Sequence, residues 1–282
     1  MKILTFDIEE WFHILDNNET KGVSEWITFE SRIHRNMETI FRILDNSKVS
    51  ATFFVVGWIA KKYPEIIKQI SDRGYEVGSH TYLHQLVYSQ DRNTFYSDVE
   101  RSIKTIEDCS GQKVRSFRAP GFSITKNNLW AFEVLNELGI TKDSSVFPAG
   151  RAHGGFPSYD LAIPSIIDYN GIILKEFPIN THTVLGKPFM FSGGGYFRLL
   201  PYKIIENWTN QSKYVMTYFH PRDFDIDQPM VPGLSPFRRF KSYVGIKNCK
   251  PKLDNWLNDF DFIDLNQADQ LINWGDVPSI KL

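Results

Sequence analysis

Two short segments of the chain carry the side chains of a hydrolytic metal site. Asp7 and Glu9 lie near the first residue, and His80 and His84 lie four residues apart further along. Two imidazoles and one carboxylate can bind a single divalent cation and leave open positions for water and substrate, as catalytic sites do. The second carboxylate then remains beside the cation as a candidate general base. These residue types therefore predict a metal-dependent hydrolase.

The spacing within each segment suggests how the side chains converge. In a strand, side chains at positions i and i+2 project from the same face about 7 Å apart, so Asp7 and Glu9 can reach one pocket while Glu10 points away. On a helical turn, a spacing of four places His80 and His84 on one side. Each pattern is weak by itself, because a solvated acidic strand end explains the first and many such histidine pairs bind no metal.

Two further candidates follow predicted strands. Arg118 begins an Arg-Ala-Pro-Gly turn, and His220 stands between the apolar run 214–219 and Pro221. A histidine fixed at the end of a buried strand is well placed for acid–base chemistry. The alternatives are a surface arginine in a turn and a hydrogen-bonded core histidine.

The elements that must position these residues alternate between strands and helices. Such alternation predicts an α/β fold with a parallel sheet and outer helices, and it puts the candidate residues at strand carboxyl ends, where a β/α barrel builds its active site. Gly193–Gly195 and 229–233 are predicted loops. Apolar runs and helical spacing predict strands at 2–8, 51–57, 76–79, 114–117, 172–177, 214–219 and 260–265, and helices at 32–44, 64–74, 93–109, 126–138 and 266–274.

Composition favours one large domain. The chain has 282 residues, 42% of them hydrophobic, and a formal net charge of −1. The net charge offers no general attraction for nucleic acid or a membrane surface. The chain has no apolar run of about 20 residues and meets a charge too early for a signal peptide, so we expect no transmembrane segment and a cytoplasmic location. Cys109 and Cys249 form no ligand pair and are expected to be reduced thiols.

The ordered set of motifs resembles a known family over nearly the whole chain. Thr5-Phe6-Asp7, His80-Thr81-Tyr82-Leu83-His84, Arg118-Ala119-Pro120-Gly121 and Tyr218-Phe219-His220 are similar to the motifs of the polysaccharide deacetylase family, also called the nodulation-deacetylase homology family. Within it, the chain is most similar to the branch with Asp-x-Glu at the first motif and a Gly-Gly-Gly-Tyr-Phe-Arg stretch, here 193–198.

The resemblance implies a fold, an activity and a partner. The expected fold is a distorted, incomplete (β/α) barrel: one catalytic domain, 1–282, with a loop and helical insertion around 221–258 before the last strand and helix. The expected activity is metal-dependent hydrolysis of N-acetyl groups on an amino sugar in a polysaccharide or its precursor, which is either lipid-linked or nucleotide-linked.

The resemblance also implies roles for particular residues. Glu9, His80 and His84 would hold one divalent metal; zinc suits the mixed nitrogen and oxygen ligands best, and cobalt, nickel or iron are alternatives. The catalytic residues would be Asp7 as base, His220 as acid, Arg118 as the group that positions Asp7, and Gly121 as the backbone donor to the oxyanion. Two departures stand out: adjacent aspartates at the first motif are replaced by the Asp-x-Glu spacing, and Asp143, without a following tryptophan, is a weak candidate for tuning the catalytic histidine.

The surroundings of the site offer further candidates. His13 is a candidate for the pocket, and His34, His153 and His182 are weaker ones. The basic segment Arg238–Lys252 is expected to be a solvated helix face, with a site for a phosphate or nucleotide on the substrate as the alternative. An aromatic pocket wall suited to sugar faces is predicted from Trp11, Phe12, Phe122, Tyr196 and Phe197.

Three competing functions share some of these residues. One is an amidohydrolase of the same fold that acts on a non-sugar amide or cyclic imide. A second is a non-haem iron oxygenase, which would leave Asp7, Arg118 and His220 without a role. A third is a non-catalytic carbohydrate-binding protein, against which the complete set of base, metal ligands and acid argues.

Overall fold

The computed structural model describes residues 1–150 and 153–282, and a long mixed sheet runs through its centre. Its strands lie in the order β12-β7-β8-β6-β5-β4-β3-β2. The strands of the chain are β1 Lys2–Ile3, β2 Thr5–Ile8, β3 Thr52–Val55, β4 Glu76–Ser79, β5 Ser116–Phe117, β6 Lys142–Asp143, β7 Ser165–Tyr169, β8 Ile172–Glu176, β9 His182–Val184, β10 Lys187–Phe189, β11 Val215–Met216 and β12 Ser279–Lys281.

The helices lie between these strands. They are α1 Val23–Trp26, α2 Ile33–Ser47, α3 Gly57–Lys62, α4 Pro64–Asp72, α5 Arg92–Ser110, α6 Trp130–Glu137, α7 Gly194–Leu199, α8 Tyr202–Gln211, α9 Pro236–Tyr243, α10 Cys249–Asp259 and α11 Leu265–Leu271. In the described part of the chain, no helix is both long and apolar enough to cross a bilayer.

The sheet forms an incomplete barrel, as predicted. Strands β2, β3, β4, β5, β6 and β8 pair in parallel, whereas β7 runs antiparallel to β8. At the other edge, β1 pairs in parallel with β11, and Phe6 forms a parallel bridge with Phe219. Within the described residues no pairing joins β12 to β11, so the barrel stays open.

Local sequence explains the main elements. The apolar run of β3 is buried on both faces, as a central parallel strand requires. Helix α4 begins at Pro64, which tolerates the first helical position because it needs no amide donor there. Helix α5 begins where the Asp91 side chain accepts a hydrogen bond from the Thr94 amide, and it ends at Gly111 in the left-handed conformation.

Two predicted elements were wrong, and the last predicted helix was too long. The strand predicted at 260–265 is reduced to a single bridge between Ile263 and Ile3, because Asp264 caps the helix that follows it. That helix ends at Leu271 rather than at 274, and β12 after it was not predicted. The predicted glycine loop at 193–195 instead contains the start of α7. Both cysteines are free.

Candidate metal centre and catalytic site

Three buried side chains form a group that can hold a metal ion. One ligand atom from each of Glu9, His80 and His84 lies within 4.8 Å of the other two. Glu9 Oε2 is 2.7 Å from His84 Nε2, yet it makes no hydrogen bond within the described residues. A buried carboxylate oxygen without a donor, beside two imidazoles, fits a shared cation. The donor set and its burial therefore suit a divalent metal.

The orientation of His80 is fixed by the chain itself. Its Nδ1 lies 2.7 Å from the carbonyl oxygen of Arg118. Because a carbonyl only accepts, Nδ1 carries the proton and leaves the Nε2 lone pair for a ligand bond. Burial lowers the pKa of His80 to about 4, although the negative charge of Asp7 acts in the other direction. The ring is therefore neutral at neutral pH.

The two histidines meet through a loop and not through the predicted helical turn. Thr81 and His84 have positive φ angles of 64° and 52°, which no helix contains. The carboxylate of Asp98, on α5, accepts hydrogen bonds from the amides of Tyr82 and Leu83 at 2.7 and 3.0 Å. Sequence reasoning missed Asp98, whose only signal is an acidic residue on the buried face of an amphipathic helix.

Asp7 is held beside the metal group by a buried cation. Arg118 Nη1 donates to Asp7 Oδ1 at 2.8 Å and to Thr5 Oγ1 at 2.7 Å, and the arginine side chain is fully buried. Glu9 lies one position beyond β2 and lines the same cavity as Asp7, in agreement with strand alternation. Glu10 instead accepts hydrogen bonds from the Arg32 and Ile33 amides at the start of α2.

His220 lies between three carboxylates. Its Nε2 is 3.5 Å from Glu9 Oε1 and 3.9 Å from Asp7 Oδ2, while its Nδ1 is 3.1 Å from Asp223 Oδ2. Burial by itself lowers the pKa of His220, but Glu9, Asp223 and Asp7 outweigh it and raise the pKa to about 9. The imidazole is therefore protonated at neutral pH and can act as an acid.

The residue that contacts His220, the candidate acid, is Asp223, not Asp143. Asp223 Oδ1 also lies 3.2 Å from Arg198 Nε, so the buried carboxylate joins a guanidinium to the imidazole. Asp143 lies on β6, where its Oδ1 accepts a hydrogen bond from Ser145. Sequence reasoning missed both Asp223 and Arg198, although the second belongs to the Gly-Gly-Gly-Tyr-Phe-Arg stretch.

One cavity of about 460 Å³ brings most of the candidates together. Trp11, Phe12 and Phe197 are buried in the core and do not line it, whereas His34 pairs with Glu65 at the surface. His182 stacks on Trp208. The predicted site residues that line the cavity are Asp7, Glu9, His13, His80, His84, Gly121, Phe122, His153, Tyr196 and His220.

The basic segment divides into residues with different surroundings. Arg238 and Lys241 line the cavity, while the exposed Arg239 does not. Lys250 pairs with Asp254 one helical turn away, as expected for a solvated face. Lys252 instead donates to three carbonyl oxygens at the end of α7, where the helix leaves acceptors without amide partners.

Comparison with known proteins divides the chain into two matched regions. Residues 17–142 match the family model described as Polysaccharide deacetylase. This region is similar to polysaccharide deacetylases, and we refer to it as the matched deacetylase domain. Residues 144–270 match a second model, described as a domain of unknown function, DUF3473.

Curated relatives of the deacetylase domain act on acetylated sugars, according to their names. The chain is 31% identical to a peptidoglycan-N-acetylglucosamine deacetylase of Bacillus cereus, over 46% of this chain and 59% of the relative. It is 30% identical to a chitooligosaccharide deacetylase of Azorhizobium caulinodans, over 40% of this chain and 52% of the relative. The matches thus span little more than half of these relatives.

A solved structure shows the same fold. A putative polysaccharide deacetylase from Mycobacterium smegmatis superposes with a TM-score of 0.69 at 18% identity, over 100% of this chain and 92% of the other. This likeness supports the incomplete barrel and carries no argument about activity.

The candidate site extends beyond the matched deacetylase domain. That domain contains His80, His84 and Arg118, whereas Asp7 and Glu9 precede it. His220, the candidate acid, lies in the second matched region. All of these side chains except the buried Arg118 line the one cavity, so both regions contribute to the site.

Proposed function

We propose that this chain is a metal-dependent hydrolase that removes N-acetyl groups from an amino sugar of a polysaccharide or its precursor. One observation carries the proposal: Asp7, held by Arg118, and the protonated His220 face the Glu9–His80–His84 group in one cavity. The names of the curated relatives support an acetylated sugar as the substrate class. A cytoplasmic location and a lipid-linked or nucleotide-linked precursor remain predictions.

Glu9, His80 and His84 would hold the metal. Two neutral imidazole nitrogens and one carboxylate suit zinc, and also cobalt, nickel or iron. When bound, a divalent cation polarises the acetyl carbonyl and makes a nearby water more acidic. The neutral state of His80 and the single proton on its Nδ1 leave Nε2 ready for this role.

Asp7 would act as the general base. Its Oδ1 is occupied by Arg118, while Oδ2 lies 3.9 Å from His220 Nε2 on the cavity side. The guanidinium fixes the orientation of the carboxylate. Oδ2 is therefore the oxygen that takes the proton from the attacking water.

His220 would act as the general acid. The departing sugar nitrogen needs a proton, because an amide anion is a poor leaving group, and His220 Nε2 carries one at neutral pH. The backbone N–H of Gly121, which lines the same cavity, is the proposed donor to the developing oxyanion.

The first experiment measures acetate release. Protein that has been chelated and reloaded with zinc should release acetate from chitotetraose. Asp7→Asn and His220→Ala should each lower kcat by about 10²- to 10⁴-fold, the usual contribution of acid–base catalysis. Bound zinc, measured by elemental analysis, should stay at the wild-type level in Asp7→Asn.

The control is His34→Ala, which removes a surface histidine that pairs with Glu65 and should keep wild-type kcat. Full activity in Asp7→Asn would refute the assigned base. Hydrolysis of a cyclic imide without acetate release from any N-acetylated oligosaccharide would favour the non-sugar amidohydrolase instead.

A further inference from the structure

One buried cation in the catalytic cavity has no counter-ion among the residues that the structure describes. Arg222 lines the cavity two positions after His220 and is only 7% exposed. Its Nη2 is buried and makes no hydrogen bond, and no carboxylate oxygen in the described residues lies within 4.0 Å of its guanidinium nitrogens. A buried charge without a partner is costly, so its presence in an active cavity calls for a ligand.

The nearest acids are already engaged by other groups. Asp223 Oδ1 faces Arg198 and Asp223 Oδ2 contacts His220, while Glu9 belongs to the metal group. The guanidinium carbon of Arg222 lies 6.0 Å from the centre of the Tyr243 ring, which offers only a weak interaction. Burial, and then the nearby Arg198, lower the pKa of Arg222. Asp223 and Glu9 oppose this lowering, but neither forms an ion pair with Arg222 within the described residues.

A second cation lines the same cavity. Lys241 is exposed on α9, with its Nζ 5.3 Å from the centre of the Phe237 ring. Arg238 also lines the cavity, but its guanidinium donates to the carbonyl oxygens of Leu15 and Asp16. Among the described residues that line the cavity, Arg222 and Lys241 are therefore the cations available to a bound anion.

We propose that Arg222 binds an anionic substituent, a carboxylate or a phosphate, on the glycan substrate, with Lys241 as an outer partner. The planar guanidinium fork matches both groups and can donate two parallel hydrogen bonds to either. This inference rests on the proposed deacetylase function and narrows its substrate class to an acidic glycan. Because Arg222 lies two residues from His220, the anion belongs to the sugar that carries the departing amine or to its neighbour.

The test compares matched N-acetylated substrates with and without charge. The carboxylate arm uses a hyaluronan tetrasaccharide, which alternates N-acetylglucosamine with glucuronate, against neutral chitotetraose. The phosphate arm uses N-acetylglucosamine 1-phosphate against N-acetylglucosamine. In at least one arm, wild-type kcat/KM should be higher for the charged substrate by about tenfold or more, the usual effect of a charge-assisted hydrogen bond. The difference should lie mainly in KM.

Variants assign that preference to one residue. Arg222→Gln should bring the charged-to-neutral ratio close to one, and Lys241→Gln should lower it by a smaller factor. The matched control is Arg239→Gln on the same helix as Lys241, since Arg239 is exposed and does not line the cavity; the ratio should not change. Arg222→Lys keeps the charge without the fork, and an intermediate ratio in this variant tests the site even if Arg222→Gln fails to fold.

Binding measurements separate this inference from the catalytic one. Calorimetric titration of the Asp7→Asn protein with the same oligosaccharides should show tighter binding of the charged one, and Arg222→Gln in that background should abolish the difference. If binding of the charged oligosaccharide depends on Arg222 but the wild-type protein releases no acetate from any substrate, the deacetylase function is refuted and the anion site is kept. Equal kcat/KM for charged and neutral substrates in both arms, or a preference that survives Arg222→Gln, would overturn the anion site.

Discussion

At the scale of single residues, the site is a row of alternating charges. Arg198 faces Asp223, and Asp223 faces His220, whose other nitrogen faces Glu9 and Asp7. The row explains how a partly buried imidazole stays protonated, since burial alone favours the neutral ring. Asp223 could not be identified from spacing, because a short 3₁₀ helix, Pro221–Phe224, folds it back toward His220.

The charge on Asp223 should set the alkaline limit of activity. In the proposed mechanism, His220 can donate a proton only below its pKa of about 9, which Asp223 helps to raise through its contact with Nδ1. Asp223→Asn removes a negative charge that favours the protonated ring, so the pKa of His220 falls. As the pH is raised, the variant should therefore lose activity at a lower pH than the wild type does. The profile of kcat/KM against pH should therefore show its alkaline limb displaced toward neutral pH.

Asp227→Asn is the matched control, because Asp227 pairs with Arg35 at the surface. Its alkaline limb should coincide with that of the wild type. An unmoved limb in Asp223→Asn would show that another group sets the protonation of His220.

At the scale of elements, the sequence predicted the helices and strands whose hydrophobic pattern lies within their own residues. The buried run of β3 and the apolar spacing of α2 each depend on their own residues, and both elements were predicted correctly. The loop from His80 to His84 depends on hydrogen bonds from Asp98 on another element, so a four-residue spacing pointed to the wrong conformation. Strands of two residues, such as β11, are too short for any periodicity to define.

The backbone of Gly193, just before α7, packs closely against Tyr218, two residues before His220. A methyl group on Gly193 would overlap the carbonyl oxygen of Tyr218, with which Gly193 also forms a parallel bridge. Gly193→Ala should therefore lower the free energy of unfolding by about 1–3 kcal/mol, the cost of overpacking. Chemical denaturation measures this change.

Gly150→Ala provides the comparison, because a methyl group there meets no atom of the described residues within 4 Å. Its free energy of unfolding should stay within about 0.5 kcal/mol of the wild type. Equal stabilities for the two variants would mean that the backbone at Gly193 can move away from Tyr218 at no cost.

At the scale of the whole molecule, a buried pair of acids ties stability to pH. Asp143 and Glu176 are adjacent on the paired strands β6 and β8 and are fully buried. Burial, reinforced by Asp143, raises the pKa of Glu176 well above its usual range, and burial raises that of Asp143. Glu176 therefore keeps its proton in the folded protein at pH values where the unfolded chain has released it.

This difference has a definite sign. An unfolded glutamate ionises near pH 4.3, so above that pH the unfolded state binds fewer protons than the folded state, and stability falls as pH rises. Glu176→Gln removes the titration. From pH 5 to pH 8 the variant should gain stability relative to the wild type, by up to about 1.4 kcal/mol per pH unit.

Denaturation curves at both pH values measure the effect, with Glu100→Gln as control because Glu100 pairs with Lys104 on the outside of α5. Only for Glu176→Gln should the difference in free energy of unfolding from the wild type widen as the pH rises. A constant gap would mean that Glu176 is ionised in the folded protein.

Because β1 pairs in parallel with β11, the candidate site can form only after most of the chain has been synthesised. It joins residues 2–3 to 215–216, and the Asp7 amide donates to the Phe219 carbonyl at 2.7 Å. Closing a loop of this length is slow and entropically costly. A nascent chain that has exposed only the matched deacetylase domain already contains His80 and His84, the proposed metal ligands. The strand that carries Asp7, the proposed base, still lacks the neighbour that fixes it, and His220, the proposed acid, has not yet been synthesised. We therefore expect hydrolysis to begin only after residue 223 has left the ribosome, and a graft of 17–142 onto another scaffold to carry no catalysis with it.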